Sequence, residues 1–404
     1  MNHVVDRLHT VLYVLHTGSQ YDGASKSFLT MLGGLCQHGI RPIVMLKKGG
    51  DMESVLRGQG IPVLSCNYRD NAYPPTDTLK QLLLFLPKLI GRFLLNEIAY
   101  RQLMRFVSGQ RVELVHTNVS VTEIGFRVAH HLGVPHVYHI REYGDLDFGY
   151  RYFPSRHRLM SLLHAPGCYS ICITKDIQRY NGLESWNNSR VIYNGIASRS
   201  SSLPSSGSGS YFLYAGRIQH AKGLDLLLDA YSQYVQSHTD ALPLYVAGRV
   251  DEQDYYNVLL QFINEHDLKD KVFFLGPRSD MPELMRQARA LIVPSRHEGF
   301  GRCMPEAMFQ GCVVIGHDTS GTKEQFANGR AISGNEIGFP YASTDELYQQ
   351  LCRVAMALPV ELQPYRERAF DVVNQLYTIE SNVEQTLLFY QDIFTSQSHS
   401  KEKI

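Results

Sequence analysis

Residues 290–316 read ALIVPSRHEGFGRCMPEAMFQGCVVIG, an apolar run, a glycine-bearing loop, a helix opening around Pro305 and a second apolar run. Short buried strands separated by helices make a parallel sheet that is covered on both faces. The same alternation runs along the chain in both directions. Upstream in this half, strands are expected at 211–215, 244–247, 272–275 and 290–293, with one more at 313–315. Helical periodicity fills 224–235, 254–266 and 282–289. The first half repeats the scheme, with strands at 10–15, 41–46, 62–66, 113–116, 136–140, 169–173 and 190–193 and helices at 24–38 and 121–132. The fold class is therefore α/β, with two Rossmann-like doubly wound layers. Between the halves, ASRSSSLPSSGSGS at 197–210 is the one low-complexity stretch and reads as a flexible connector. Two such halves are expected to face a central cleft at the carboxyl ends of their sheets.

Composition sets the outer bounds. The chain has 404 residues, 44% hydrophobic and 19% charged, enough for two or three domains without covalent staples. Lys plus Arg and Asp plus Glu are each 39, so the formal charge is zero and nucleic acid is not the expected partner. Seven cysteines, an odd number without a CxxC pair, argue against a disulfide framework and for a reducing compartment. The start, MNHVVDRLHTVLYVLHTG, does not read as a signal peptide, and no apolar run approaches the roughly 20 residues of a spanning helix. A cytoplasmic location is expected.

Within 295–311, Glu298 lies in the glycine loop and Glu306 in the first turn of the helix that Pro305 opens. Two acceptor-only carboxylates at a strand end can hold several hydroxyls of a polyol. The spacing alone equally fits a helix N-terminus decorated with acids. A second stretch supplies context: YFLYAGRIQHAKG at 211–223 places Arg217 and Lys222 after a strand and before a helix. Two cations and a helix N-terminus suit a diphosphate, although either cation alone reads as a solvated loop residue. In HTGSQYDGASKSF, Gly18 and Gly23 flank a turn where backbone can approach a phosphate, or which is only a tight strand-to-helix turn. HIREYGD at 139–145 follows a strand, so His139 is expected at the cleft, bonding a substrate hydroxyl or simply satisfied there. Asp145 and Asp147 have metal-like spacing but no further ligand cluster, and no metal site is expected. TLKQLLLFLPKLIGRFLLNEIAYRQLMRF at 78–106 reads as two helices interrupted by Pro87 and Gly91. Its face is either a basic amphipathic surface leaning on anionic lipid or a core-facing pair with solvated charges.

Together, AGRIQHAKG, VAGRV, FLGPRSDMPELMRQARALIVPSRHEGFGRCMPEAMFQG and SGTKE resemble the C-terminal half of GT-B glycosyltransferases of family 4. VIYNGI resembles that family's domain junction, and HTNVS, HIRE and YDGASKS resemble its N-terminal half more loosely. The resemblance implies two domains, 1–196 for an acceptor and 211–375 for a nucleotide sugar, joined by 197–210. A C-terminal helix at 376–396 is expected to pack back on the first domain, with a frayed tail at 397–404. It further implies retaining transfer of a sugar from a nucleoside-diphosphate donor to a carbohydrate or lipid-linked acceptor, with no cofactor or essential metal. Surface polysaccharide or glycolipid synthesis at the inner membrane face would be the setting. Arg217 and Lys222 would neutralise the diphosphate, Glu306 would hold the ribose, and Glu298 the transferred sugar. Backbone at Phe300 and Gly301 would face the sugar or phosphates, Gly23 would approach the diphosphate, and His139 would lie near sugar and acceptor. The base would rest near Arg249 and Arg278. The first glycine loop departs from the family in reading DGAS rather than two glycines, and Arg302 and Cys303 stand where apolar residues are common. An epimerase or hydrolase of nucleotide sugars, or a non-catalytic sugar-nucleotide-binding subunit, are the competing readings.

Overall fold

Apolar runs such as Val11, Leu12, Tyr13 and Val14 are wholly buried, as strands covered on both faces must be. The computed structural model describes residues 8–205 and 209–401, with side chains through 397. It divides into two units, one made of Met1–Gly195 with Asn382–Ile404 and the other of Ile196–Ser381. The first contains β1 (His9–Val14), β2 (Ile40–Lys47), β3 (Val63–Cys66), β4 (Leu114–Thr117), β5 (His136–Ile140), β6 (Cys168–Cys172) and β7 (Ser189–Val191). They form one sheet in the order β3-β2-β1-β4-β5-β6-β7, with every pairing parallel.

The second unit contains β8 (Phe212–Ala215), β9 (Leu244–Ala247), β10 (Val272–Gly276), β11 (Ala290–Val293), β12 (Val314–His317) and β13 (Phe339–Tyr341). Their order is β10-β9-β8-β11-β12-β13, again wholly parallel. Both sheets are thus Rossmann-like, and twelve of the strands fall where hydrophobic periodicity puts them. The exception, β13, has three residues with Pro340 at its centre. As an edge strand it tolerates a residue without an N–H, and it carries no alternation long enough to read.

Two expectations about chain path need correction. The Ser/Gly-rich stretch is not slack at its start. Ile379 N donates to Ala197 O at 2.9 Å, and Ser200 N donates to Asn374 Oδ1 at 2.8 Å. Residues 206–208 of that stretch lie outside the described residues. Likewise, the stretch 78–106 breaks at Leu84, between helices Leu79–Leu83 and Phe85–Val107, and Gly91 interrupts nothing. Pro87 fits the first turn of the second helix, where its ring excludes the Leu83 carbonyl from a continuous ladder.

The final helix, Ile379–Lys401, extends into the segment read as a tail, of which residues 402–404 lie outside the described residues. It packs on the first unit. A Cβ on Gly34 would lie 2.4 Å from Val383 Cγ2, and Phe394 stacks on His9 with ring centres 4.1 Å apart.

Candidate active site

In the second unit the strand order reverses between β8 and β11, the position at which an open parallel sheet leaves a crevice at its carboxyl edge. The loops leaving these two strands carry Lys222 and Glu298. Lys222 Nζ lies 2.6 Å from Glu298 Oε2, and Ser295 Oγ donates to the same oxygen at 2.9 Å. Lys222 ends a single turn of 3-10 helix, His220–Lys222, and precedes Gly223, whose φ is +66°. A Cβ there would lie 2.1 Å from Pro294 O, so only glycine lets the Lys222 turn press against the end of β11.

A second ion pair locks the two loops together. Arg296 donates to both oxygens of Asp225 at 2.8 and 2.6 Å and to His220 O at 2.9 Å, while its backbone N donates to Ala221 O. Tyr255 OH donates to Asp225 Oδ1 at 2.6 Å. Burial opposes ionisation of Asp225, but the hydrogen bonds from Arg296 and Tyr255 outweigh it and hold the carboxyl below its ordinary range. Sequence reasoning passed over Ser295, Arg296, Asp225 and Tyr255. An acid at the second position of a helix is ordinary, and nothing local reveals its distant arginine.

The glycine loop bends back over Glu298. Gly301 has φ +77°, and a Cβ there would meet Glu298 Cγ at 2.9 Å. Gly321 N donates to Glu298 O at 2.9 Å, and Gln325 Nε2 donates to Phe300 O. Phe300 is buried with its ring edge-on to Tyr377. Thr322 Oγ1 and Gln325 Oε1 are buried without a hydrogen-bond partner, and Thr322 Oγ1 would lie 3.6 Å from a Cβ at Gly301. Glu306, in the first turn of helix Cys303–Phe309, is paired with Arg302 at 3.1 Å. Burial pushes the Cys303 thiol up to about 12, with the Glu298 and Glu306 carboxylates adding to it, so it is no thiolate nucleophile at neutral pH.

The remaining cations sit on the other side of β8. Arg217 and Arg249 share one carboxylate, Asp251, at 3.2 and 2.7 Å. The turns bearing them are pressed together, since a Cβ on Gly248 would lie 1.8 Å from Gly216 O. Arg278, beyond β10, is paired with Asp280 at the exposed surface. The structure therefore joins Lys222 to Glu298 and Arg217 to Arg249, and leaves Arg278 and Glu306 in local pairs.

In the first unit the order reverses between β1 and β4. Gly23 is exposed as the first residue of helix Gly23–Gln37, and Asp22 caps it by accepting from Ser25 N at 2.9 Å. The closest backbone approach occurs instead at Gly18, where a Cβ would lie 1.9 Å from Gly49 O.

His139 lies inside β5, whose bounds are those expected at 136–140, and is wholly buried. Arg141, which can only donate, lies 3.3 Å from His139 Nδ1, so that nitrogen accepts and Nε2 carries the proton. His116 Nε2 donates to the same Nδ1 at 3.2 Å, which leaves His116 Nδ1 to accept from Tyr390 OH at 2.5 Å. Burial and then the Arg141 charge push both imidazoles well below their ordinary range, so they are neutral at pH 7. His139 Nε2–H is left buried with no partner. Arg141 also donates to Asn118 and Asn194 at 2.9 and 2.6 Å, joining residues from HTNVS and VIYNGI. Asp147 accepts from Tyr143 N and Gly144 N as a turn cap. Among the described residues no group of three or more His, Cys, Asp or Glu could hold a metal ion.

Comparisons with known proteins find similarity in sequence over part of the chain and in fold. Residues 199–348 match the family model Glycosyl transferases group 1. The lipopolysaccharide core biosynthesis mannosyltransferase LpcC of Rhizobium leguminosarum bv. viciae is 31% identical over 132 residues, 32% of this chain and 36% of that protein. Mannosylfructose-phosphate synthase of Agrobacterium fabrum is 35% identical over 113 residues, 26% of this chain and 25% of the other. The chain thus spans between a quarter and about a third of the length of these relatives. Among solved structures, Alr3699/HepE of Anabaena in complex with UDP superposes with a TM-score of 0.73 at 19% identity, covering 95% of this chain and 100% of that one. WaaG, a glycosyltransferase involved in lipopolysaccharide biosynthesis, gives 0.66 at 15% identity, covering 93% and 98%. The fold is that of GT-B glycosyltransferases.

Proposed function

We propose that the chain is a retaining glycosyltransferase, moving a sugar from a nucleoside-diphosphate donor to a carbohydrate or lipid-linked acceptor in surface polysaccharide or glycolipid synthesis. The observation that carries the reading is the Lys222–Glu298 contact across the point where the second sheet reverses its order. The matched family segment and the mannosyltransferase relatives support it, as does a fold neighbour solved with UDP-glucose.

Breaking the anomeric bond leaves its electron pair on the diphosphate and positive charge on the sugar ring. Lys222 and Arg217 stabilise the diphosphate where that charge develops, and the N-terminus of helix Leu224–Ser237 adds its dipole. Freed from Lys222 by the phosphate, the Glu298 carboxylate accepts from sugar hydroxyls, while Glu306 accepts from the ribose. In the first unit, the proton on His139 Nε2 is available to a hydroxyl, and Gly23 opens a helix N-terminus whose backbone can approach a phosphate. Retention comes from attack on the face that the diphosphate leaves. The acceptor oxygen bonds to the anomeric carbon and its proton passes to the diphosphate. Cations in these loops supply the charge that a metal supplies elsewhere.

The experiment is a screen of UDP- and GDP-sugars for nucleotide release, with and without lipid-linked acceptors, followed by product stereochemistry. Acceptor-dependent release with an unchanged anomeric configuration is expected. Inversion would overturn retention, and binding of the donors without turnover under every acceptor would favour a non-catalytic subunit.

A further inference from the structure

The first unit carries a run of exposed apolar side chains that its own core does not explain. Leu79, Leu83, Leu86, Ile90, Phe93 and Leu94 are between 52% and 77% exposed, and no other stretch of the described residues concentrates large exposed apolar groups so densely. In helix Phe85–Val107, Leu86, Ile90, Phe93 and Leu94 recur at the spacing of one face. Ala99, Leu103 and Val107 follow the same spacing on the buried face. A helix apolar on both faces normally lies inside a protein. Here Phe93 still meets Phe153 edge-on at 5.3 Å, while Leu86, Ile90 and Leu94 stay exposed among the described residues.

This exposure is not slack. On the inner side the Arg92 guanidinium lies 3.7 Å from the centre of the Phe153 ring and donates to Asn71 Oδ1 at 2.7 Å. Phe85 stacks on Tyr73, which meets Phe153 edge-on. The helix is held firmly while it presents its outer face.

Charge identifies what covers that face. No Asp or Glu occurs between residues 78 and 96. Lys80 and Lys88 are exposed, and Arg69 is held beside the helix by two hydrogen bonds between its backbone and Asn96, at 2.8 and 3.1 Å. At Glu97 the pattern ends, because that carboxylate pairs with Arg101 and Arg127. Within that window the apolar side chains have only cations among them, with the carboxylates Asp77 and Glu97 at its two ends, and this suits an anionic bilayer surface, with lysine stems reaching up to headgroups. Among the described residues no helix is long and apolar enough to cross a membrane, so this pair lies on the surface.

We propose that helices Leu79–Leu83 and Phe85–Val107 dock the first unit on an anionic lipid surface. The inference is independent of the transferase reading, because the variants below leave the second unit untouched.

Flotation with vesicles of phosphatidylcholine and phosphatidylglycerol at 7:3, against phosphatidylcholine alone, tests it. The full chain should float with the mixed vesicles and bind the neutral ones about tenfold or more weakly. Ile90→Glu/Leu94→Glu should weaken binding by on the order of a hundredfold. Lys80→Glu/Lys88→Glu, which changes only exposed charges, should erase the preference for the anionic vesicles. Failure of the unaltered chain to float overturns the proposal, as does equal binding by both double variants. A dimer that dissociates in Ile90→Glu/Leu94→Glu, without lipid binding, also overturns it and assigns the face to a second copy of the chain.

Discussion

Glu298 neutralises Lys222 at 2.6 Å, and the two side chains reach this contact from loops on opposite sides of the β8/β11 reversal. Both are less than a fifth exposed, so the pair is better shielded than an ordinary surface ion pair. A phosphate must displace the carboxylate to reach the ammonium. Replacing Glu298 by Gln removes that competitor and frees the charge. Glu298→Gln should therefore bind nucleoside diphosphate at least as tightly as the unaltered chain, while transfer falls by roughly 10²–10³. Calorimetric titration beside a turnover assay separates the two effects, and a parallel loss of both would mean that Glu298 only holds the loop.

The Arg296–Asp225 pair stitches the same two loops together without an assigned contact to ligand. Asp225→Ala should loosen the Lys222 turn and weaken nucleoside-diphosphate binding by about tenfold, roughly the worth of a charged hydrogen bond. Asp225→Glu should restore part of it. Unchanged affinity in Asp225→Ala would make the stitch irrelevant to the site.

Tyr390 reaches His139 through His116, and the chain of donors fixes the proton on His139 Nε2. Tyr390→Phe removes the hydroxyl that holds His116 in its tautomer. Turnover is expected to fall about tenfold with nucleotide affinity intact, and the nitrogen chemical shifts of His139 should report tautomer mixing. A turnover loss with unmoved shifts would point to packing instead.

Acid should destabilise the first unit. Burial holds His116 and His139 well below their ordinary range and lowers His136 to about 3. Folded pKa values below the unfolded value of about 6.5 mean that their stabilising effect is complete above that pH and declines as pH falls below it. For His136, whose folded pKa of about 3 lies well below pH 5, the cost at pH 5 is about 2 kcal/mol, and His116 and His139 act in the same direction. Glu142 acts in the opposite sense, because burial raises it to about 7 and it destabilises as pH rises from about 4.5. Three groups outweigh one, so the urea midpoint should be lower at pH 5 than at pH 7.5. His136→Gln should shrink the difference. A midpoint that holds or rises at pH 5 would contradict this balance.

Sheet architecture was legible because buried parallel strands need continuous apolar runs, and those runs stand between clear helical periods. The pairing of Lys222 with Glu298 was legible only as two separate motifs, since strand order, not sequence distance, makes β8 and β11 neighbours. Asp225 and Tyr390 carried no local signal, and Arg296 and His116 stood in quoted motifs with no role read for them. Tyr390 lies 274 positions from the histidine it bonds. The strand at 136–140 that contains His139 was legible, but the complete burial of His139 was not, because HIRE carries no mark of the side chains that cover it.

Titration of UDP and GDP into the unaltered chain and into Lys222→Ala and Arg217→Ala/Lys222→Ala tests most directly whether these loops receive a diphosphate. Binding of at least one nucleotide should weaken by about 10–100-fold in Lys222→Ala and further in the double variant. Equal affinity across all three proteins would place the diphosphate elsewhere and remove the basis for the transferase.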